Sequence, residues 1–276
     1  MNRTRLFLKF TFGVAALLAL SPAGFAQTGE VARKAKPKSN LPFDPHDLSG
    51  VWSRTGGDRG MSSRAGVDVP PMTPEGQKLF DASGPGYGPR AVPPAKGNDI
   101  VGECNPQGIP RLLFFPRPVE FIQLPNRLIQ FFEWHRVLRE IWTDGRKLPD
   151  DPDTLRWYGY SVGKWEGNDF VVDSFGFDAR TWLDQYGYPH SDQMKLQERY
   201  RRVDHDTIEM TVTVVDPKMY TKPWVSQKKT WSLLSKPEEY SLDGWNALPE
   251  EVCAPIDEVD NFDRRVRDPA GGVVHK

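Results

Sequence analysis

Glu198 is the carboxylate whose position in the sequence most strongly suggests chemistry. In an alternating strand, Leu196 and Tyr200 share a face with Glu198, while Gln197 and Arg199 occupy the opposite face. The strand therefore predicts that the Glu198 carboxyl points into the protein interior, where a carboxylate is costly unless it is paired. Desolvation raises the pKa of a carboxyl group toward neutrality, so Glu198 is a candidate general acid or base.

Glu133 is the second candidate acid or base. In the strand before it, Ile129 and Phe131 share its face, which again predicts a carboxylate on an apolar side. The alternative is a structural ion pair with Arg139 or Arg136.

His190 is the candidate proton shuttle. It lies in a long, aromatic-rich loop over 182–192, and long ordered loops in compact domains are usually functional. Asp184 is a possible orienting partner for it, and Trp182 and Tyr188 are candidates for the walls of a ligand pocket. The alternative is a loop that only closes one end of the fold, with the histidine bonded to backbone.

Three further side chains are candidates for substrate binding. Arg139 and Tyr200 would stabilise charge that develops on the substrate, and His135, expected in a hairpin turn, would contact the substrate or only cap backbone groups. The two glutamates and His190 lack the spacing of a metal site, so we predict no metal. Phosphate-binding and dinucleotide-binding glycine motifs are also missing, and we predict no cofactor.

The elements that must position these residues are short strands. They are rich in β-branched and aromatic residues and are separated by turn sequences such as Pro125-Asn126 and Asp144-Gly145. Short links between strands predict antiparallel hairpins, and about eight strands predict an all-β, antiparallel up-and-down barrel. A β-sandwich is the alternative. We expect strands near 119–124, 127–133, 136–142, 157–165, 169–175, 195–203, 207–215 and 224–234.

The barrel is expected over 119–235, preceded by a different kind of segment. Residues 47–118 are rich in Pro and Gly and predict an irregular wrap with one strand near 47–52 and one short helix. Thr73 is the expected cap of that helix, and Pro74 stands at its first position.

Composition excludes some classes of protein. The 36 Lys and Arg balance 37 Asp and Glu, whereas a nucleic-acid-binding protein would carry a basic excess. A chain with 25 Pro and 24 Gly is a poor helical bundle, because Pro breaks helices and Gly weakens them. The oligomeric state is not predicted.

Residues 1–26 predict a signal peptide. Three basic residues precede an apolar run over 10–20, and Gly24 and Ala26 provide small side chains before a cleavage site. The run is short for a bilayer span, so we expect no membrane span after cleavage, a flexible linker over 27–46 and a periplasmic or secreted protein. An uncleaved anchor is the alternative.

Export changes the interpretation of the two cysteines. In an oxidising compartment Cys104 and Cys253 are expected to form one disulfide, which would tie the C-terminal tail, 236–276, to the N-terminal segment. Two free thiols or a catalytic cysteine are the alternatives.

Several motifs resemble known families. Gly50-Val51-Trp52 resembles the Gly-x-Trp opening of lipocalins, and Lys164-Trp165-Glu166-Gly167-Asn168 is similar to hairpins of fatty-acid-binding proteins. Both families are calycins, so this resemblance implies a small-molecule-binding, calycin-like barrel. Longer runs, including CNPQGIPRLLFFPRPVEFIQ and FFEWHRVLREIWTDGR, resemble a large, mainly uncharacterised family of exported bacterial proteins, which implies secretion and a barrel-like fold without an assigned reaction.

These features predict an exported barrel that holds a small organic molecule. The leading hypothesis is a cofactor-independent acid–base enzyme, a lyase, isomerase or hydrolase, and the alternative is a non-catalytic carrier of the periplasm. A structural partner in an envelope assembly is a third hypothesis, suggested by the Pro-rich segment.

Overall fold

Ten β-strands and one α-helix make up most of the regular structure in the computed structural model, which describes residues 39–55, 59–62, 64–236, 248–249 and 253. The signal peptide, most of the linker and most of the C-terminal tail predicted from the sequence lie outside these residues. The strands are β1 Gly50–Thr55, β2 Val119–Leu124, β3 Arg127–Phe132, β4 Leu138–Trp142, β5 Tyr160–Glu166, β6 Asp169–Phe175, β7 Lys195–Asp204, β8 Thr207–Val215, β9 Trp224–Val225 and β10 Lys229–Leu233.

The strands form a closed barrel, which confirms the predicted all-β barrel. In the described part of the chain, β1 to β8 follow one another around the wall, and β10 pairs with both β8 and β1 to close it. The wall has nine strands, because β9 pairs only with the end of β8 and is not part of the closed circuit. The strand expected over 224–234 is therefore two strands, interrupted at 226–228.

The prediction that every neighbouring pair is antiparallel is wrong at one position. β4 and β5 run parallel and share a single bridge, between Trp142 and Val162. Parallel neighbours need a crossover connection, so residues 143–159 return along the barrel to the rim where both strands begin. We call this end the loop rim; the links 133–137 and 176–194 also lie there.

The inward faces of β7 and β8 are as predicted. Leu196, Glu198 and Tyr200 are buried in β7, and Ile208 to Val214 alternate inward in β8. In β3 the predicted face is wrong: Leu128, Gln130 and Phe132 are buried, not Ile129 and Phe131. Both faces of β3 carry apolar residues, and Phe131 is half-buried outside the barrel against a second small apolar cluster, so alternation alone did not reveal the inward face.

The N-terminal segment packs on the barrel as a largely irregular layer. Its helix, α1, spans Pro74–Ala82, and the Thr73 hydroxyl accepts a hydrogen bond from the Gly76 amide at 3.0 Å, which confirms the predicted cap. Short 3₁₀ helices follow over 94–96, 100–103 and 111–114.

The predicted disulfide between Cys104 and Cys253 is confirmed and links this layer to the C-terminal part of the chain. None of the helices in the described residues is long and apolar enough to cross a membrane.

Candidate functional site

Glu198 forms a two-point ion pair with Arg139 inside the barrel. The Arg139 Nη2 lies 2.6 Å from Glu198 Oε1, and Nη1 lies 2.9 Å from Oε2. Both side chains are buried, so the predicted inward carboxylate is paired rather than isolated. β4 and β7 are not neighbours in the wall, and the pair therefore spans the interior.

Four other polar side chains complete this arrangement, which we call the interior network. Tyr200 donates its hydroxyl to Glu198 Oε2 at 2.6 Å and accepts from the Gln130 amide at 3.0 Å. Arg139 also donates to Ser161 and Ser174 at 3.0 and 3.1 Å. Six polar side chains from several strands are thus joined to one another inside the barrel.

Burial and the carboxylate act in opposite directions on the guanidinium. Burial lowers the pKa of Arg139, but the charge of Glu198 and its hydrogen bonds outweigh this effect, and the net shift is upward. The pKa of Tyr200 is raised well above its usual value, first by burial and then by the neighbouring Glu198 charge. Tyr200 is therefore a protonated hydrogen-bond donor at neutral pH.

Glu133 lies away from this network, after the end of β3. It is buried, and Arg117 Nη1 lies 2.9 Å from its Oε1. The predicted ion pair is present, but the partners expected from sequence are wrong: Arg139 binds Glu198, and Arg136 donates to the carbonyl of Leu248 at 2.7 Å. His135 lies in the connection of the β3–β4 hairpin, as predicted, within a 3₁₀ turn over 134–136, and its ring stacks on Trp134 at 4.7 Å.

His190 is buried in the long loop and is bonded on both ring nitrogens. Nδ1 faces the Ser191 carbonyl at 3.0 Å and must donate to it, and Nε2 lies 2.7 Å from the Thr181 hydroxyl. Burial lowers the pKa of His190 despite that backbone hydrogen bond, so the ring is neutral at neutral pH. Asp184 accepts from the amides of Met61 and Tyr186 and is not the group that orients His190.

The aromatic residues of this loop are packed into the structure. Tyr188 is buried, stacks on Phe80 at 4.7 Å and accepts from the Gly66 amide at 3.0 Å. Trp182 is half-buried, with the Arg111 guanidinium 5.7 Å from its ring centroid. Each of Glu198, Glu133 and His190 thus has its own partners, and no hydrogen bond between described residues joins any two of the three.

An open groove lies where β4 and β5 separate. It has a volume of about 790 Å³ and is lined by residues 138–140, 142, 146–149 and 155–162; we call it the β4–β5 groove. Arg139 and Ser161 lie on its wall, so it adjoins the interior network. Gly159 turns the chain into β5 with a positive φ of 63°, in a space where a Cβ would collide with Phe177.

The groove is lined by aromatic side chains and cations. Trp142, Trp157, Tyr158 and Tyr160 are half-buried in its wall. Burial raises the pKa of Tyr158, whose hydroxyl has no hydrogen-bond partner among the described residues.

Two of the groove cations have no ion-pair partner in the described part of the chain. These are Lys147 and Arg156, whereas Arg146 pairs with Asp144 at 2.6 Å and Arg139 with Glu198. The only acidic side chain on the described wall, Glu140, lies 3.3 Å from Arg127. In the sequence, the only indication of this site is the pair of tryptophans, Trp142 and Trp157, on either side of the Pro-containing connection.

Comparison with known proteins adds no assignment: no family model, no curated protein and no solved structure matches this chain. No group of three or more His, Cys, Asp or Glu side chains in the described residues is placed to hold a metal ion.

Proposed function

We propose that this protein is an exported, small-molecule-binding β-barrel whose ligand site is the β4–β5 groove. The observation that carries the proposal is the groove itself, an opening of about 790 Å³ lined by four aromatic side chains. Ligand pockets in proteins usually measure about 300–1,000 Å³ and combine apolar walls with a few polar groups. The exposed Leu138 and Leu155 add apolar surface at its edge.

Binding in this groove is better supported than acid–base catalysis in the barrel interior. Glu198 is held at both oxygens by Arg139, and His190 is bonded at both nitrogens. A group that transfers protons to a substrate must reach it within hydrogen-bond distance. The contacts of these two side chains favour a structural role, and the carrier hypothesis is therefore the one we adopt.

The neutral fluorescent probe N-phenyl-1-naphthylamine tests the proposal, because its emission rises in apolar surroundings. We expect saturable binding that Leu138→Trp weakens about tenfold or more, since the larger ring enters the groove. Val225→Trp is the matched control: Val225 is a strand residue of similar exposure, 58% against 56%, and it does not line the groove. Equal affinities of the two variants for the probe would refute the site.

A further inference from the structure

The charges of the β4–β5 groove define its ligand class. Resting on the function proposed above, we propose that the groove selects planar aromatic molecules that carry an anionic group, such as a carboxylate or sulfonate.

Charge is the first argument. Four cations line the groove, at Arg139, Arg146, Lys147 and Arg156, against the single carboxylate of Glu140. Three of these five charges are paired: Arg139 with Glu198, Arg146 with Asp144, and Glu140 with Arg127. Lys147 and Arg156 are exposed and have no ion-pair partner among the described residues, so a net charge of +2 faces the opening. An anionic group on the ligand neutralises it.

Ring stacking is the second argument. The Arg156 guanidinium lies 4.0 Å from the Tyr160 ring centroid, and the Arg146 guanidinium lies 3.6 Å from that of Trp142. On the same side of the barrel, Arg180 lies 4.3 Å from the Trp157 ring. A guanidinium thus already lies over one face of each of these three rings, a cation–π arrangement. A planar aromatic ligand would pack against these rings and guanidinium planes, and aromatic pairs gain energy beyond their buried area.

A hydroxyl donor is the third argument. Tyr158 lines the groove, stays protonated at neutral pH because burial raises its pKa, and has no hydrogen-bond acceptor among the described residues. A protonated hydroxyl donates to an anionic oxygen in a short charge-assisted hydrogen bond. Tyr158, Lys147 and Arg156 are thus three donor side chains for an anionic group. The one carboxylate among the described wall residues, Glu140, is already paired with a cation.

A matched pair of probes tests this inference. 1-Anilinonaphthalene-8-sulfonate differs from N-phenyl-1-naphthylamine only by its sulfonate, and both are titrated by fluorescence with the wild-type protein and with two variants. We expect the sulfonate to bind about tenfold to a hundredfold more tightly, the range for hydrogen bonds to charged groups. The double variant Lys147→Gln/Arg156→Gln should lose this preference, whereas Lys222→Gln, an exposed lysine outside the groove, should keep it.

The outcomes separate the two proposals. If both probes bind equally tightly, and Leu138→Trp weakens both, the groove is a ligand site but its selection of anions is refuted. If the sulfonate preference survives in the double variant, the anionic group binds elsewhere and the inference is also refuted. If Leu138→Trp changes neither titration, the proposed function itself fails.

Discussion

At the scale of residues, the most informative contact is the ion pair between Arg139 and Glu198. The inward direction of Glu198 could be predicted, because alternation in β7 places it between Leu196 and Tyr200. Its partner could not be predicted, since the two residues lie on strands that are not neighbours and meet only across the closed interior. The alternation of residues in a strand predicts which side chains face inward. It does not predict which inward side chains of distant strands meet once the barrel is closed.

The buried pair predicts a large loss in the free energy of unfolding when one partner is substituted, and a less than additive loss when both are substituted. Glu198→Gln leaves the Arg139 guanidinium buried without its counter-charge, and we expect it to lower the free energy of unfolding by about 3–5 kcal/mol. Glu209→Gln is the control: it removes an exposed pair with Lys228 and should cost less than about 1 kcal/mol. Urea denaturation followed by tryptophan fluorescence measures both.

The double variant Arg139→Met/Glu198→Leu sharpens the test. Removing both charges together leaves no buried charge unpaired, so its cost should be smaller than the sum of the costs of Arg139→Met and Glu198→Leu measured singly. Additive costs would contradict the description of Arg139 and Glu198 as one coupled unit.

At the scale of elements, the connection between β4 and β5 differs from every other link in the wall. Most strand positions followed from alternation and turn residues, and β2, β6 and β8 have the predicted bounds. The parallel pairing of β4 and β5 could not be predicted, because the composition of 143–159 does not indicate at which rim of the barrel the chain enters β5. The β4–β5 groove was missed for the same reason: its wall comes from two strands and a crossover that only the folded barrel brings together.

The central part of this connection is weakly held. Residues 147–153 make no hydrogen bond or ion pair with other described residues, and grooves lie on both of its sides. By contrast, Arg156 is anchored through backbone hydrogen bonds to Gly176 and Asp178, each 2.9 Å long. Few internal hydrogen bonds indicate a low free energy of local opening.

Limited trypsin digestion of the native protein measures this difference. We expect cleavage after Lys147 to precede cleavage after Arg180, a residue with 67% of its side chain exposed whose loop is packed through buried His190 and Leu183. Mass spectrometry of the fragments gives the order. Earlier cleavage at Arg180 would show that exposure of the side chain, and not anchoring of the backbone, governs opening here.

At the scale of the whole molecule, the disulfide is the longest constraint that the sequence predicted. Two cysteines in a protein expected to be exported to an oxidising compartment predict one bridge, and the structure joins Cys104 to Cys253 across 149 positions. By the loop-entropy model, a bridge of this span stabilises the folded state by up to about 5 kcal/mol.

Removing the bridge should therefore lower the free energy of unfolding of the entire barrel. We expect Cys104→Ser/Cys253→Ser to shift the urea midpoint downward under non-reducing conditions, and dithiothreitol to shift the wild-type protein to the same midpoint. The variant itself should not respond to dithiothreitol, which is the internal control. A wild-type midpoint that does not change on full reduction would contradict a stabilising role.

The number of strands in the wall has a topological consequence. Each antiparallel neighbour reverses the strand direction, so a closed circuit that returns to its starting strand must contain an even number of reversals. With nine strands in the described barrel there are nine neighbouring pairs, and at least one of them has to be parallel. β4 and β5 form that pair. The parallel pairing between them is thus a consequence of an odd count, and a wall with one strand more or fewer could alternate throughout and would need no crossover.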